Sequence, residues 1–253
     1  MATFAERLAN KENLIGTIVS VNSPAIVELM SQRDFDWLFI DAEHGALSIE
    51  ALENLVRASH KPVLLRIANH QESSVKQALE IGAQGIIVPQ VNSREAAEQI
   101  VRYAKYPPQG SRGVGVGRAN GYGMSFAEYL ETANAETVVV AQIEHADAVA
   151  RAEEIVATPG LGAVLVGPND LAASMNLLGQ TEHPDVVAAI DKVRRVAQAQ
   201  QLPLGIFHGD PDKAIAYGQQ GFTLVACGVD SIILGHAAQN LAEQLSTALK
   251  TAN

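Results

Sequence analysis

DWLFIDAEHG, residues 36–45, joins a short continuous apolar run to three ionisable residues. Residues 37–40 are strand formers without polar interruption, the pattern of a parallel strand buried on both faces. The run then gives way to Asp41, Glu43 and His44, so two carboxylates and an imidazole emerge where the strand leaves the core. In α/β proteins that end of a strand is where ligands are held.

Working outward, the same construction recurs. Residues 13–20 (NLIGTIVS) read as an earlier strand, followed by a helix over residues 24–32 with Ser23 as N-cap and Pro24 at its first position. Ser48 caps the next helix, and Glu50 sits in its first turn, where the helix dipole favours an anion. Further strands are expected at 62–67 (PVLLRI), 85–88 (GIIV), 137–143 (TVVVAQI), 163–166 (AVLV), 203–207 (PLGIF) and 223–227 (TLVAC). Helices are expected at 72–80, 93–103 and 230–248. Eight strand-like runs, each followed by a helical one and with no composition break, predict a single (β/α)8 domain over residues 1–253. An open doubly wound sheet is the competitor. The barrel is preferred because the count closes at eight and ionisable residues recur at several strand ends rather than at one crevice.

Composition narrows the function. With 253 residues, 47% hydrophobic, the chain can bury a large core. A net charge of −10 without basic runs argues against nucleic acid or an anionic membrane surface as partner. One cysteine, Cys227, excludes an internal disulfide framework, and no stretch has the length of a membrane span or a signal peptide, so a cytoplasmic protein is expected.

One segment departs from the alternation. YPPQGSRGVGVGRANGYG, residues 106–123, is long and glycine-rich and follows the fourth helix, so it starts from the face opposite the site. To reach the chemistry it must climb back or touch a neighbouring subunit. It lacks the third glycine of a dinucleotide fingerprint, and Arg112 and Arg118 are read first as anchors of the loop, with anion binding as the alternative.

The strand ends are best weighed together. Glu144 and Asp170 follow neighbouring strands and so can share a hard divalent cation such as Mg²⁺ or Mn²⁺, although Asp170 also reads as an acid in the first turn of a helix. Arg66, at the end of an apolar strand, has a fork suited to a bidentate anion; its alternative is a salt bridge to Asp41 or Glu43. His44 is a candidate general acid or base, or a histidine that only supports its neighbours. His70, His145 and His208 sit near other strand ends with fewer charged neighbours, and His60 and His183 read as surface residues. None of the seven lysines falls at a strand's C-terminal end, so an imine mechanism lacks its nucleophile. Cys227, among apolar neighbours, reads as packing.

DWLFIDAEHG, PVLLRIA, GAQGIIVPQV, GSRGVG, QIEHADAV and VGPNDLAASM, in this order, resemble the HpcH/HpaI family of class II pyruvate aldolases. The resemblance implies a (β/α)8 barrel assembled as a homohexamer, with a last helix exchanged between subunits, a divalent ion (Mg²⁺ or Mn²⁺, with Co²⁺ as a third candidate) and no organic cofactor. On the matching positions it implies Glu144 and Asp170 as metal ligands, Arg66 and Gln142 on a 2-keto acid with Pro168 and Asn169 beside Asp170, and His44 with Asp41 in catalysis. The acid that supports the histidine, often aspartate, falls here on Glu80. The aldehyde side is expected to be formed by the glycine-rich loop and residues around Phe207 and His208. The implied reaction is reversible cleavage of a 4-hydroxy-2-keto acid to pyruvate, or a relative such as hydroxypyruvate, and an aldehyde. Acyl-CoA lyases and enolate-trapping decarboxylases or synthases are the rival activities, and a keto-acid-binding protein without catalysis the rival outside enzymes.

Overall fold

In the computed structural model, which describes residues 2–250 with the side chain of Lys250 excepted, eight parallel strands close in sequence order into one barrel. They are β1 (Leu14–Val19), β2 (Trp37–Asp41), β3 (Val63–Arg66), β4 (Gly85–Val88), β5 (Val138–Ile143), β6 (Ala163–Val166), β7 (Leu204–His208) and β8 (Leu224–Val229). Each expected strand is present, with ends moved by one or two residues. β1 and β8 pair directly, so the sheet has no free edge.

Alternation along the strands divides the apolar residues between two cores. Side chains pointing inward, among them Ile18, Trp37, Phe39, Leu64, Val140 and Leu165, fill the barrel. Those pointing outward, such as Leu38, Ile40, Leu65, Ile86, Val139 and Val166, pack against the ring of helices. Gly16 is required by the largest of the inner side chains: a Cβ there would lie 2.4 Å from the Trp37 ring. Trp37 Nε1 in turn donates to the Leu14 carbonyl at 3.3 Å.

The helices in chain order are α1 (Phe4–Ala9), α2 (Pro24–Ser31), α3 (Ile49–Ala58), α4 (Glu72–Glu80), α5 (Arg94–Ala104), α6 (Phe126–Glu136), α7 (Ala146–Ala150), α8 (Ala152–Val156), α9 (Pro168–Ser174), α10 (Pro184–Ala199), α11 (Pro211–Gln219) and α12 (Asp230–Lys250). Ser23, Ser48 and Ser93 cap α2, α3 and α5 through their hydroxyls. α1 was not expected. Its capping box, Thr3 with Glu6, starts the helix, and Phe4 and Leu8 join the barrel's inner core from below.

The glycine-rich segment stays low on the barrel. Arg112, fully buried, pairs with Glu80 of α4 at 2.9 Å and lies over the Tyr106 ring, 4.6 Å from its centre. Arg118 Nη1 donates to the Ile81 carbonyl at 2.9 Å. Both arginines therefore anchor the loop, while Val114 and Val116 are exposed. Past its buried first residue, Asp230, α12 is mostly exposed, including Ile232, Leu234, Leu241 and Leu245. Among the described residues no helix is long and apolar enough to cross a membrane.

Candidate active site

The C-terminal mouth of the barrel holds a cavity of about 430 Å³, lined by Asp41, His44, Arg66, Gln142, Pro168, Asn169 and Asp170 together with apolar side chains. Strand register accounts for the gathering. Asp41 and Arg66 are paired positions on β2 and β3, and Ile143 pairs with Val166, which sets Glu144 and Gly167 side by side where β5 and β6 end.

Asp41 organises one half. Arg66 donates to it twice, Nε to Oδ1 at 2.8 Å and Nη2 to Oδ2 at 2.6 Å. Oδ1 also accepts from the backbone N–H groups of Glu43 (3.0 Å) and His44 (3.4 Å), which curls the chain back after β2. The two-pronged fork of Arg66 is thus directed at Asp41, the salt-bridge alternative, and not at a free anion. Its Nη1 lies 3.2 Å from Glu43 Oε2, an ion pair without hydrogen-bond alignment. Burial alone would raise the Asp41 carboxyl, but the Arg66 guanidinium holds it below the ordinary aspartate value. Glu43 is pushed up, chiefly by burial. The His44 ring is largely exposed, its Nε2 3.8 Å from Glu43 Oε2.

Glu144 organises the other half. It is 1% exposed, and burial, helped by the negative charges of Asp170 and Glu43, pushes its carboxyl up to about 7. Two donors oppose the shift: Oε1 accepts from the Gln90 backbone N–H at 2.7 Å, and Oε2 accepts from Gln142 Nε2. Gln90 reaches this position with φ of +54°, a left-handed conformation uncommon for glutamine. Gly167 leaves room, since a Cβ there would lie 2.8 Å from Glu144 Oε2. Gln142 Oε1 is buried without a partner. Asp170, in the first turn of α9, is exposed to the cavity.

The negative charges of Asp170 and Glu43 act on the buried Glu144, and oxygen ligands of this kind suit a hard divalent cation; among the described residues no three acids are gathered into a metal-binding group. Of the expected ligands, Asp170 lines the cavity and Glu144 is buried against Gln142. Glu80, in contrast, is engaged by Arg112 on the flank of α4. His208 does not line the cavity. It points outward, with Nδ1 accepting from the Asp210 N–H and Nε2 3.6 Å from Glu182. The glycine-rich loop lines no part of it either, which corrects that part of the expected aldehyde side within one chain; Phe207 does line it. Lys105, pushed down to about 8 by burial, donates to the carbonyls of Asn134 and Thr137, below the barrel. Cys227 is half-buried, its thiol pushed up by burial.

Residues 14–237 match the model of the HpcH/HpaI aldolase/citrate lyase family. The chain belongs to that family. A hydroxypyruvate/pyruvate aldolase of Roseobacter denitrificans is 34% identical over 246 residues, covering 95% of both chains. A 5-keto-4-deoxy-D-glucarate aldolase of Escherichia coli is 36% identical over 245 residues, again covering 95% of each. Among solved structures, a family member from Burkholderia cenocepacia superposes with a TM-score of 0.91 at 33% identity, covering 95% of this chain and 98% of that one.

Proposed function

We propose that this chain is a class II aldolase that reversibly cleaves a 4-hydroxy-2-keto acid into pyruvate, or a close relative such as hydroxypyruvate, and an aldehyde. What carries the reading is the buried Glu144 carboxylate, shared by Gln90 and Gln142 and set beside Asp170 opposite the Asp41–Arg66 pair, in a chain of aldolase relatives. Glu144 and Asp170 would hold a divalent cation, Mg²⁺ or Mn²⁺. When bound, that cation draws negative charge onto the keto oxygen of the substrate.

The chain's own groups do the rest. Arg66 Nη1 donates to the developing enolate oxygen, in a place where water is excluded and the guanidinium is fixed by Asp41. Pro168 and Asn169, at the start of α9, hold the carboxylate of the keto acid. His44 takes the proton of the 4-hydroxyl as the C3–C4 bond breaks, the bonding pair passing to C3 and the C4 oxygen becoming the aldehyde carbonyl. In condensation the same proton returns. An acyl-CoA substrate is not favoured, because among the described residues Arg66 is the sole arginine or lysine lining the cavity and the relatives are aldolases. We further propose a cytoplasmic homohexamer that exchanges α12 between subunits, in keeping with that helix's exposed apolar face.

The test is an aldol and retro-aldol screen over a panel of aldehydes, with and without EDTA. Pyruvate release that stops on chelation and returns with Mg²⁺ or Mn²⁺ is expected. A protein that binds pyruvate yet never exchanges its methyl protons with deuterated water would sink the reading.

A further inference from the structure

The cavity is electrostatically lopsided. Its charged and amide groups come from β2, β3, β5 and β6, whereas Ile18, Phe39, Leu165, Phe207 and Val229 supply apolar surface. One polar side chain interrupts the wall on the β1 and β8 side. Ser20, the residue after β1, lines the cavity, and in the closed barrel β1 lies across from β5, whose end carries Glu144.

The Ser20 hydroxyl is not free to turn. Its Oγ donates to Oδ1 of Asp230 at 2.9 Å, and that carboxylate, 1% exposed at the start of α12, is crowded with donors. The Ser20 N–H also reaches Oδ1 (3.0 Å), the Val21 N–H reaches Oδ2 (3.0 Å), and the Ser231 N–H reaches Oδ1 (2.8 Å). A carboxylate accepting from every side can only be an acceptor for the hydroxyl, so the Ser20 proton is committed to it. The oxygen therefore turns its lone pairs away from Asp230, and it does so from the cavity wall. A rotatable hydroxyl would tolerate donors and acceptors alike; a hydroxyl fixed in this way asks for a donor.

We propose that Ser20, held by Asp230, is a specificity-determining residue that accepts a hydrogen bond from a hydroxyl on the carbon next to the aldehyde carbonyl. This rests on the aldolase reading and deepens it by assigning the acceptor class: 2-hydroxyaldehydes over alkyl aldehydes of the same size. The keto acid sits on the carboxylate side, by Glu144 and Asp170, so the substrate atoms that reach β1 are those beyond the bond being made. An apolar surround strengthens the discrimination, because a bare alkyl group leaves the Ser20 lone pairs buried without a donor.

Glycolaldehyde and propionaldehyde, nearly equal in size, serve as the probes, each condensed with pyruvate. The kcat/KM ratio of the first to the second, compared between proteins, cancels the aldehydes' intrinsic reactivities. Ser20→Ala is expected to lower that ratio roughly fivefold to tenfold, the scale of one lost neutral hydrogen bond, and Ser20→Thr to restore it. An unchanged ratio in Ser20→Ala would overturn the proposal. So would a change that follows the keto acid instead, seen as a shifted hydroxypyruvate-to-pyruvate ratio with propionaldehyde held constant. Exchange of pyruvate methyl protons by the wild-type protein separates the two levels: exchange with a flat ratio removes only the role of Ser20, and no exchange removes the aldolase reading with it.

Discussion

Asp41 and Arg66, paired across β2 and β3, form a buried two-point ion pair that leaves the third guanidinium nitrogen, Nη1, to Glu43 at 3.2 Å. Arg66 also lies 5.2 Å from the centre of the Phe39 ring, which fixes its plane from beneath. The arginine is therefore a structural partner of Asp41 and, under the proposed function, also a charge offered to substrate through a different atom.

That division predicts how substitutions separate. Arg66→Lys keeps a charge but cannot satisfy Asp41 at two points and reach the cavity at once. Its retro-aldol kcat/KM should fall about 10²-fold to 10³-fold, on the scale of one lost oxyanion donor. Asp41→Ala leaves the buried guanidinium with only its looser contact to Glu43 and should cost about 3 kcal/mol in stability. Activity assays alongside urea melts check both. An Asp41→Ala protein as stable as wild type would show that the pair is not what holds the mouth together.

Glu144 gives a pH signature to the metal-free protein. Its carboxyl is raised to about 7 from an ordinary value near 4.5, so between those values the folded chain keeps a proton that the unfolded chain has lost. Its stabilising contribution is complete below about pH 4.5 and is lost as pH rises through about 7, by up to about 1.4 kcal/mol per unit. Glu43, also raised, acts in the same direction. EDTA-treated protein should therefore melt at a lower temperature at pH 7.5 than at pH 5.5, and Glu144→Gln should flatten most of the difference. Divalent-ion affinity should run the opposite way, rising towards pH 7 as the proton leaves. Calorimetry across that range, with Mn²⁺ as the titrant, measures both trends.

Gln90 offers a test in the backbone. Its positive φ aims the N–H at Glu144, and glycine adopts that conformation without the cost a side chain meets there. Gln90→Gly should keep Mn²⁺ affinity within about twofold and leave stability within about 1 kcal/mol of wild type. Gln90→Val, β-branched and ill suited to positive φ, should swing the N–H off Glu144 and weaken Mn²⁺ binding several-fold. Equal affinities in the two variants would mean that the N–H is not positioning the carboxylate.

Legibility in the sequence followed the physics of each feature. Apolar runs ending in Asp41, Arg66, Glu144 and Asp170 announced the barrel and its mouth, because parallel strands buried on both faces cannot alternate and their ends stand out. The Asp41–Arg66 pairing was visible only as one of two alternatives, since register between strands is a tertiary fact. Gln90 gave no signal, its contribution being an N–H that every residue but proline carries. Ser20 was hidden likewise, because a small polar residue closing a strand-like run carries no sign of what it faces. α1 was too short and too charged for its two inward residues, Phe4 and Leu8, to stand out, though Thr3 and Glu6 at capping-box spacing could have marked its start. His208 misled for the opposite reason: it lies on the same strand as Phe207, but one step along a strand reverses the facing.

The final prediction concerns α12. Leu234, Leu241 and Leu245 recur on one helical face and are 60%, 59% and 53% exposed, too much apolar surface for a helix that packs on its own barrel. Where the helix after β8 would normally cover the barrel, an apolar groove of about 380 Å³ runs past Leu14, Ile15, Ala214, Ile215 and Val225. Helix and groove are matched in character but apart within one chain, the arrangement expected when identical subunits exchange a terminal element. Light scattering coupled to gel filtration should find an oligomer, six chains by the proposed assembly. Removing residues 236–253 should reduce the assembly and lower the melting temperature, and Ile215→Asp, which puts a charge into the groove without touching the helix, should do the same. A full-length chain that elutes as a monomer at micromolar concentration, with α12 protected from proteolysis, would place that helix on its own barrel and remove the case for exchange.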